Sequence, residues 1–197
     1  MSDVPPASSA ISSGDALETW FAREREVRLL LAAPGQAGQA EQANQTGLDF
    51  LRRIQRGELP SVPMANTLDY VMVDCERGRV VFQGTPRSEF YNPIGSVHGG
   101  YYATLLDSAM GCAIHTCLEQ GLGYATIELK VSLLRPLTNR TGPVRAEGKV
   151  INISRRLGTA EGRLVDAAGK LYAHATTSCM IFPLAERPSS PAPESDQ

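Results

Sequence analysis

Asn92-Pro-Ile-Gly-Ser-Val-His-Gly-Gly100 runs directly into Tyr-Tyr-Ala-Thr-Leu-Leu-Asp107. A turn-rich loop ends in two glycines and opens a strongly apolar segment. The spacing predicts one long helix from Val97 to about Leu118, in which Leu105, Leu106, Ala109, Met110, Ala113, Ile114 and Leu118 leave little polar face. A helix that is apolar nearly all round must be wrapped by other structure. The exception is Asp107, a carboxylate where a core residue belongs. An unpaired charge there costs several kcal/mol (roughly) to bury, so an idle Asp107 is a poor reading. At the other end, a helix beginning near His98 or Gly99 leaves the N–H groups of Gly99, Gly100 and Tyr101 bare. Together with the helix dipole they form an anion site. An oxyanion site plus a half-buried carboxylate is the equipment for hydrolysing an activated acyl group.

Outward from this stretch the pattern is β-rich. Tyr70–Cys75 and Arg79–Gly84 flank Glu76-Arg77-Gly78 as a hairpin, and residues 85–96 read as a loop. After the helix, Gly121 and Gly123 close the connection. Four strands are then expected at about 124–134, 143–153, 157–167 and 170–182, with no helix between them. In the second, Val144, Ala146, Gly148 and Val150 alternate with Arg145, Glu147 and Lys149; in the third, Ala160, Gly162 and Leu164 alternate with Thr159, Glu161 and Arg163. Half-buried alternation with short turns argues for an antiparallel meander. The order β-β-α-β-β-β-β gives an α+β fold: a long central helix wrapped by a curved antiparallel sheet, with extra N-terminal helices.

The loop and helix motif, Asn92…His98-Gly99-Gly100…Asp107, with the strand Thr126-Ile-Glu-Leu-Lys-Val-Ser-Leu-Leu-Arg-Pro136, resembles the signature of hotdog-fold acyl-CoA thioesterases, most of all the PaaI-like (phenylacetate-pathway) branch. The resemblance covers about residues 48–182. It implies that Gly100 supplies an oxyanion N–H, that His98 and Asn92 shape the loop and orient the thioester or water, and that Asp107 is general base or nucleophile. Thr126 stands where a hydroxyl positions water across a dimer interface. Arg155 and Arg156 fall where such proteins hold coenzyme A phosphates. Gly99 and Tyr101 are further candidates for substrate contact. Bland readings stay open beside these: Thr126 as a plain strand residue, the two arginines as solvated charge, Tyr101 and Tyr102 as core, and His115 and His174 as packing or surface residues.

Asp107 lies nine residues beyond His98, about two and a half helical turns. That is too far to act on a carbonyl held at its own helix start. A symmetric homodimer, or a dimer of dimers, would bring one subunit's Asp107 to the other's oxyanion site.

Two rivals share this fold or ligand. A hotdog enoyl-CoA hydratase or dehydratase would have a His directly after an Asn-Pro-Ile start, whereas Gly95 follows Ile94 here. A non-catalytic acyl-CoA-binding module would have no need of Asp107. An α/β-hydrolase would need G-x-S-x-G and alternating βα units, and both are missing.

Composition bounds the rest. The chain has 197 residues, 42% hydrophobic and 20% charged, with formal net charge −2. That charge offers no basic field for nucleic acid or anionic membranes. No apolar run approaches a transmembrane span, and the start lacks the basic and apolar regions of a secretory signal. A cytoplasmic location is therefore expected. Cys75, Cys112, Cys117 and Cys179 form no C-x-x-C, and His98, His115 and His174 do not space with them as zinc ligands, so reduced thiols are expected and neither metal nor cofactor is needed. Cys112 or Cys117 as a reactive thiol is the lesser possibility.

Residues 1–45 form an N-terminal extension: a disordered start, a helix capped at Asp15-Ala-Leu-Glu18, and a Gly/Ala/Gln linker from Pro34 to Gln45. Leu17, Trp20, Phe21, Val27 and Leu31 are available for that helix's apolar face. The extension could cover a pocket, extend an oligomer interface, or do neither. The thioesterase domain is expected over 46–183, with Thr46 capping a short helix that turns Leu48, Leu51 and Ile54 inward and ends at Gly57. Residues 184–197 read as a disordered tail.

Overall fold

A computed structural model describes residues 13–184; residues 1–12 of the expected disordered start (1–14) and all but the first residue of the expected tail lie outside them, while Ser13 and Gly14 open the first helix. In chain order the elements are α1 (Ser13–Leu30), β1 (Ala32–Pro34), α2 (Gln39–Ala43), α3 (Gly47–Gln55), β2 (Pro60–Ser61), α4 (Pro63–Thr67), β3 (Tyr70–Glu76), β4 (Arg79–Gly84), a single 3-10 turn (Ser88–Phe90), α5 (Gly99–His115), β5 (Leu122–Leu133), β6 (Val144–Ile153), β7 (Leu157–Asp166) and β8 (Leu171–Pro183).

The six long strands form one open antiparallel sheet in the order β3-β4-β6-β7-β8-β5, with α5 packed on its inner face. This is the hotdog architecture. The alternation expected in the second and third meander strands holds: Val144, Ala146 and Gly148 face the helix, as do Ala160, Gly162 and Leu164. Leu105, Leu106, Ala109, Met110, Ala113 and Ile114 of α5 are fully buried.

Helix and sheet meet at Gly148. A Cβ added there would run into the Ala109 carbonyl group and stand 2.6 Å from Met110 N. These are backbone atoms inside a helix and cannot be relieved by a rotamer change. Gly148→Ala is therefore expected to cost on the order of 1–3 kcal/mol or more, read as a lowered urea midpoint; an unchanged midpoint would show that the helix rides higher on the sheet.

The N-terminal segments divide between the two faces of the sheet. On the outer face α1 places Val27 against Val71, Val73 and Val81 in a small core of their own. Beside it, Gln83 is fully buried and satisfied: its amide donates to Glu24 Oε2 at 2.6 Å and its oxygen accepts from Arg145 Nε at 2.8 Å. Arg145 also stacks over Trp20, 4.2 Å from the ring centroid. The apolar face of α1 is narrower than expected, since Phe21 stays exposed. On the inner side α3 carries the anticipated cap, Thr46 Oγ1 accepting from Asp49 N, and buries Leu51 and Ile54. Gly57 follows with φ +73°, the left-handed conformation that ends helices at glycine.

The stretch 34–45 is more ordered than a linker. Its Gln39–Ala43 run consists of good helix formers and makes α2, whose end is tied down by Gly121 N donating to Ala43 O at 3.0 Å. β1 and β2 pair in parallel beyond either end of this region. The main helix is also shorter than expected, because the loop's bonds hold the backbone up to His98 outside it.

Candidate active site

The loop before α5 is closed by its own polar groups. Asn92 Oδ1 accepts from Ile94 N and Ser96 N, and its Nδ2 donates to Ser96 Oγ at 3.1 Å. Tyr91 and Val97 form an isolated bridge, and His98 N donates to Phe90 O at 2.8 Å. These bonds engage both ends of the Asn92 amide in closing the loop.

His98 is the N-cap of α5. Its Nδ1 accepts from Gly100 N at 2.9 Å. A ring nitrogen that accepts carries no proton, so this imidazole is the neutral Nε2–H tautomer. The same bond bears directly on Gly100. Its N–H is occupied within the cap and cannot also meet a substrate oxygen in this arrangement. The amide of Gly99, the first residue of the helix, has no hydrogen-bond partner among the described residues. Counting residues from the helix start could not separate the two glycines, because the choice depends on the His98 rotamer.

Asp107 is half-buried, two turns further along α5. Thr126 Oγ1 donates to its Oδ1 at 3.1 Å, within the same chain. Thr126 is aimed by a bulge: Thr126 pairs Cys179 and Glu128 pairs Ser178, leaving Ile127 as the extra residue. Ser108 turns elsewhere, to Tyr70 Oη at 3.0 Å. Burial raises the Asp107 pKa above the ordinary aspartate range, and the Thr126 hydrogen bond offsets part of that. Oδ2 has no partner among the described residues and remains open to accept a bond.

Asp107 and Thr126 border a cavity of about 290 Å³. Gly99 opens on a different one of about 240 Å³, bordered by Asn92, Ser96, Leu133 and Arg135. The two share no lining residue. Both lie along β5, the edge strand: Thr126 near one end, and Leu133, whose Cδ1 would stand 2.9 Å from a Gly99 Cβ, at the other. Ile127, Leu129 and Leu133 are exposed along this free edge.

Other sequence candidates are placed less directly. Tyr101 is 3% exposed and stacked on Phe90, centroids 4.9 Å apart. Its hydroxyl is buried without a hydrogen-bond partner, and burial pushes its pKa far up. It is a core residue and does not border the cavity that holds Asp107. Arg155 and Arg156 are exposed in the β6–β7 turn, beside Leu122 and Met180 on a surface cavity, and neither guanidinium has a partner among the described residues. All four cysteines are free; burial pushes Cys112 up to about 12, which keeps it an unreactive thiol at neutral pH. His115, read from sequence as a packing or surface residue, is buried and borders the Asp107 cavity. A signal for it existed: Ser108, Cys112 and His115 recur at helical spacing and are the least apolar line on the core face of α5.

Comparison with known proteins agrees with this fold. The model of the Thioesterase superfamily matches residues 94–173. SSO2140 of Saccharolobus solfataricus, named as a candidate esterase, is 33% identical over 115 residues, covering 58% of this chain and 80% of that one. A crystal structure from Ralstonia eutropha JMP134, described as a phenylacetic acid degradation-related candidate thioesterase, is 31% identical with TM-score 0.61, over 66% of this chain and 98% of that one. The E. coli PaaI protein, at 22% identity and TM-score 0.56 over 60% and 83%, shares the fold. The chain belongs to the thioesterase superfamily, and its structural relatives include PaaI-like thioesterases.

Proposed function

We propose that this protein is an acyl-CoA thioesterase acting as a homodimer, in which Asp107 of one subunit activates water against a thioester carbonyl held by the Gly99 N–H of the partner subunit. The observation that carries this reading is the separation of the two groups within one chain. They open to different cavities, near opposite ends of the free edge β5. Antiparallel pairing of two β5 edges about a two-fold at Leu129, which then pairs with its own copy, sets the Thr126 end of one strand against the Ser132–Leu133 end of the partner subunit's strand. That register carries each Asp107 toward the other chain's helix start, and it buries Ile127, Leu129 and Leu133.

In the reaction, the ionised Asp107 accepts a proton from water through its open Oδ2 while Thr126 fixes the carboxylate by Oδ1. Water attacks the carbonyl carbon, and the Gly99 amide at the positive end of α5 stabilises the oxyanion. Collapse breaks the C–S bond, and the thiolate takes up a proton as it leaves. His98 orients the loop and presents Nε2–H. The unpartnered Arg155 and Arg156 are suited to phosphates of coenzyme A, since a guanidinium offers a fixed fork of donors. Purified protein is expected to release free thiol from acyl-CoAs. Hydration of an enoyl-CoA double bond in place of thiol release would favour a hydratase, and tight acyl-CoA binding with no turnover would favour a binding module.

A further inference from the structure

The cavity that holds Asp107 is only partly built from the residues that match the superfamily. Its roof comes from the N-terminal segments: Phe50, Leu51 and Ile54 of α3, Ala65 of α4, and Gln42 of α2. All lie before residue 94, where the superfamily match begins. We infer that these segments form the acyl subsite of this chain and limit it to one uncharged, apolar acyl group of about ten heavy atoms. This rests on the thioesterase reading for its chemistry, but the cavity itself does not.

The dimensions follow from α5. Ser108, Cys112 and His115 border the cavity on one helix face, so it runs along the helix from Asp107 to His115. Eight residues at 1.5 Å rise span about 12 Å. A volume of about 290 Å³, at roughly 30 Å³ per heavy atom (taking the share of a water in the liquid as a guide), holds about ten such atoms.

The chemistry follows from the deep end. His115 is 3% exposed, packed between the rings of Phe50 and Tyr124 at 5.6 and 5.3 Å, with Gln42 Nε2 3.4 Å from its Nε2. Burial lowers its pKa to about 4, so it is neutral at physiological pH. Gln42 can donate to an unprotonated Nε2. No lysine or arginine borders the cavity among the described residues, so a dicarboxylic acyl group would strand its charge there. An alkyl or ring terminus fits. The α3 roof is locked from outside the cavity as well: Gly47 N donates to Leu118 O at 3.0 Å, and a Cβ on Gly47 would collide with the His115 backbone.

The test is a kcat/KM profile for saturated acyl-CoAs from two to sixteen carbons, with a ring-ended and a dicarboxylic acyl-CoA beside them. In the wild type the value is expected to rise about three- to fourfold per methylene to an optimum between about eight and twelve carbons, with the dicarboxylic substrate at least tenfold poorer than its alkyl counterpart. Ala65→Phe should lower the decanoyl-to-butanoyl ratio by about tenfold or more. Phe50→Ala should move the optimum to longer chains. Equal losses at every length in both variants, with melting temperatures preserved, would overturn the inference. Calorimetric titration with saturated fatty acids tests the cavity without turnover: affinity should climb to about ten carbons and then level off, and Ala65→Phe should weaken decanoate selectively. If no acyl-CoA releases thiol but the acids bind with this pattern, the proposed activity fails and the subsite stands. Acids that bind with no length dependence overturn the subsite whether or not thiol is released.

Discussion

Asp107→Asn is expected to lower kcat by about 10²- to 10⁴-fold, the range associated with loss of a positioned general base. The amide keeps the shape and can still accept from Thr126 Oγ1, but it cannot take a proton from water. Folding should not suffer. Burial raises the folded-state pKa of this carboxyl, so the native state binds its proton more tightly than the unfolded chain does. Stability from this group therefore falls as pH rises from the unfolded value through the raised folded one, and a charged Asp107 is a net cost at neutral pH. The variant should melt at the same temperature as wild type or higher near neutrality, with the difference shrinking as pH is lowered. The acid limb of wild-type kcat/KM should lie above the ordinary aspartate range, because the base must be ionised to act. Near-full activity in Asp107→Asn would remove the base from the mechanism.

The second large effect is expected at a backbone atom. Gly99→Pro deletes the one N–H proposed to hold the oxyanion, at a position where proline is tolerated. Gly99 is the first helical residue, where proline suits the helix and the missing N–H leaves no internal bond unmade. His98 has φ −59° and ψ 138°, the extended conformation required before a proline. Nearby, a side chain at 99 meets only the movable end of Leu133. Rate losses of about 10²–10³ are typical for one oxyanion donor, and circular dichroism should show α5 intact. The two inactive variants together give a sharper measurement. Dissociated and reassociated as a 1:1 mixture, about half the dimers are mixed, and each of these has one of its two sites intact; about a quarter of wild-type activity should return. A mixture that stays inactive would place both groups within a single chain's site.

The wrapped helix and the meander were legible because apolar spacing and alternation report burial directly. The segment 143–153 shows this: every second residue is small or apolar, and those are the residues that touch α5. The position of Asp107 was equally plain, since a lone carboxylate stands out in an apolar helix. Gly99 and Gly100 were not separable, because their difference lies in one histidine rotamer and the single N–H it occupies. The cavity roof was hidden for another reason. Phe50 and Ala65 are ordinary residues in short helices, and their convergence with His115 on one cavity depends on chain separations of 65 and 50 residues, which no local pattern encodes. The order in residues 34–45 was missed because Gly, Ala and Gln together suggest a linker, while docking on β5 decides the outcome.

The sheet has two edge strands, and the chain treats them differently. At β3, a bulge at Val73 interrupts the pairing with β4; Arg23 Nε from α1 donates to Val73 O at 2.9 Å, and Gln55 Nε2 from α3 donates to Met72 O at 3.2 Å. The N-terminal region passes from the outer face to the inner one around this border and uses side chains to occupy carbonyls that a foreign strand would seek. On β5 the side-chain bond to a strand carbonyl comes from the neighbouring β8, Thr177 Oγ1 donating to Glu128 O at 2.7 Å, and among the described residues no side chain of the N-terminal segments bonds a β5 carbonyl. A sheet with two bare borders can add copies at both and grow into a fibre, whereas one with a single bare border is finished after one addition. If two copies pair at β5 as proposed, the segment wrapped around β3 would stop the sheet from growing at its other border.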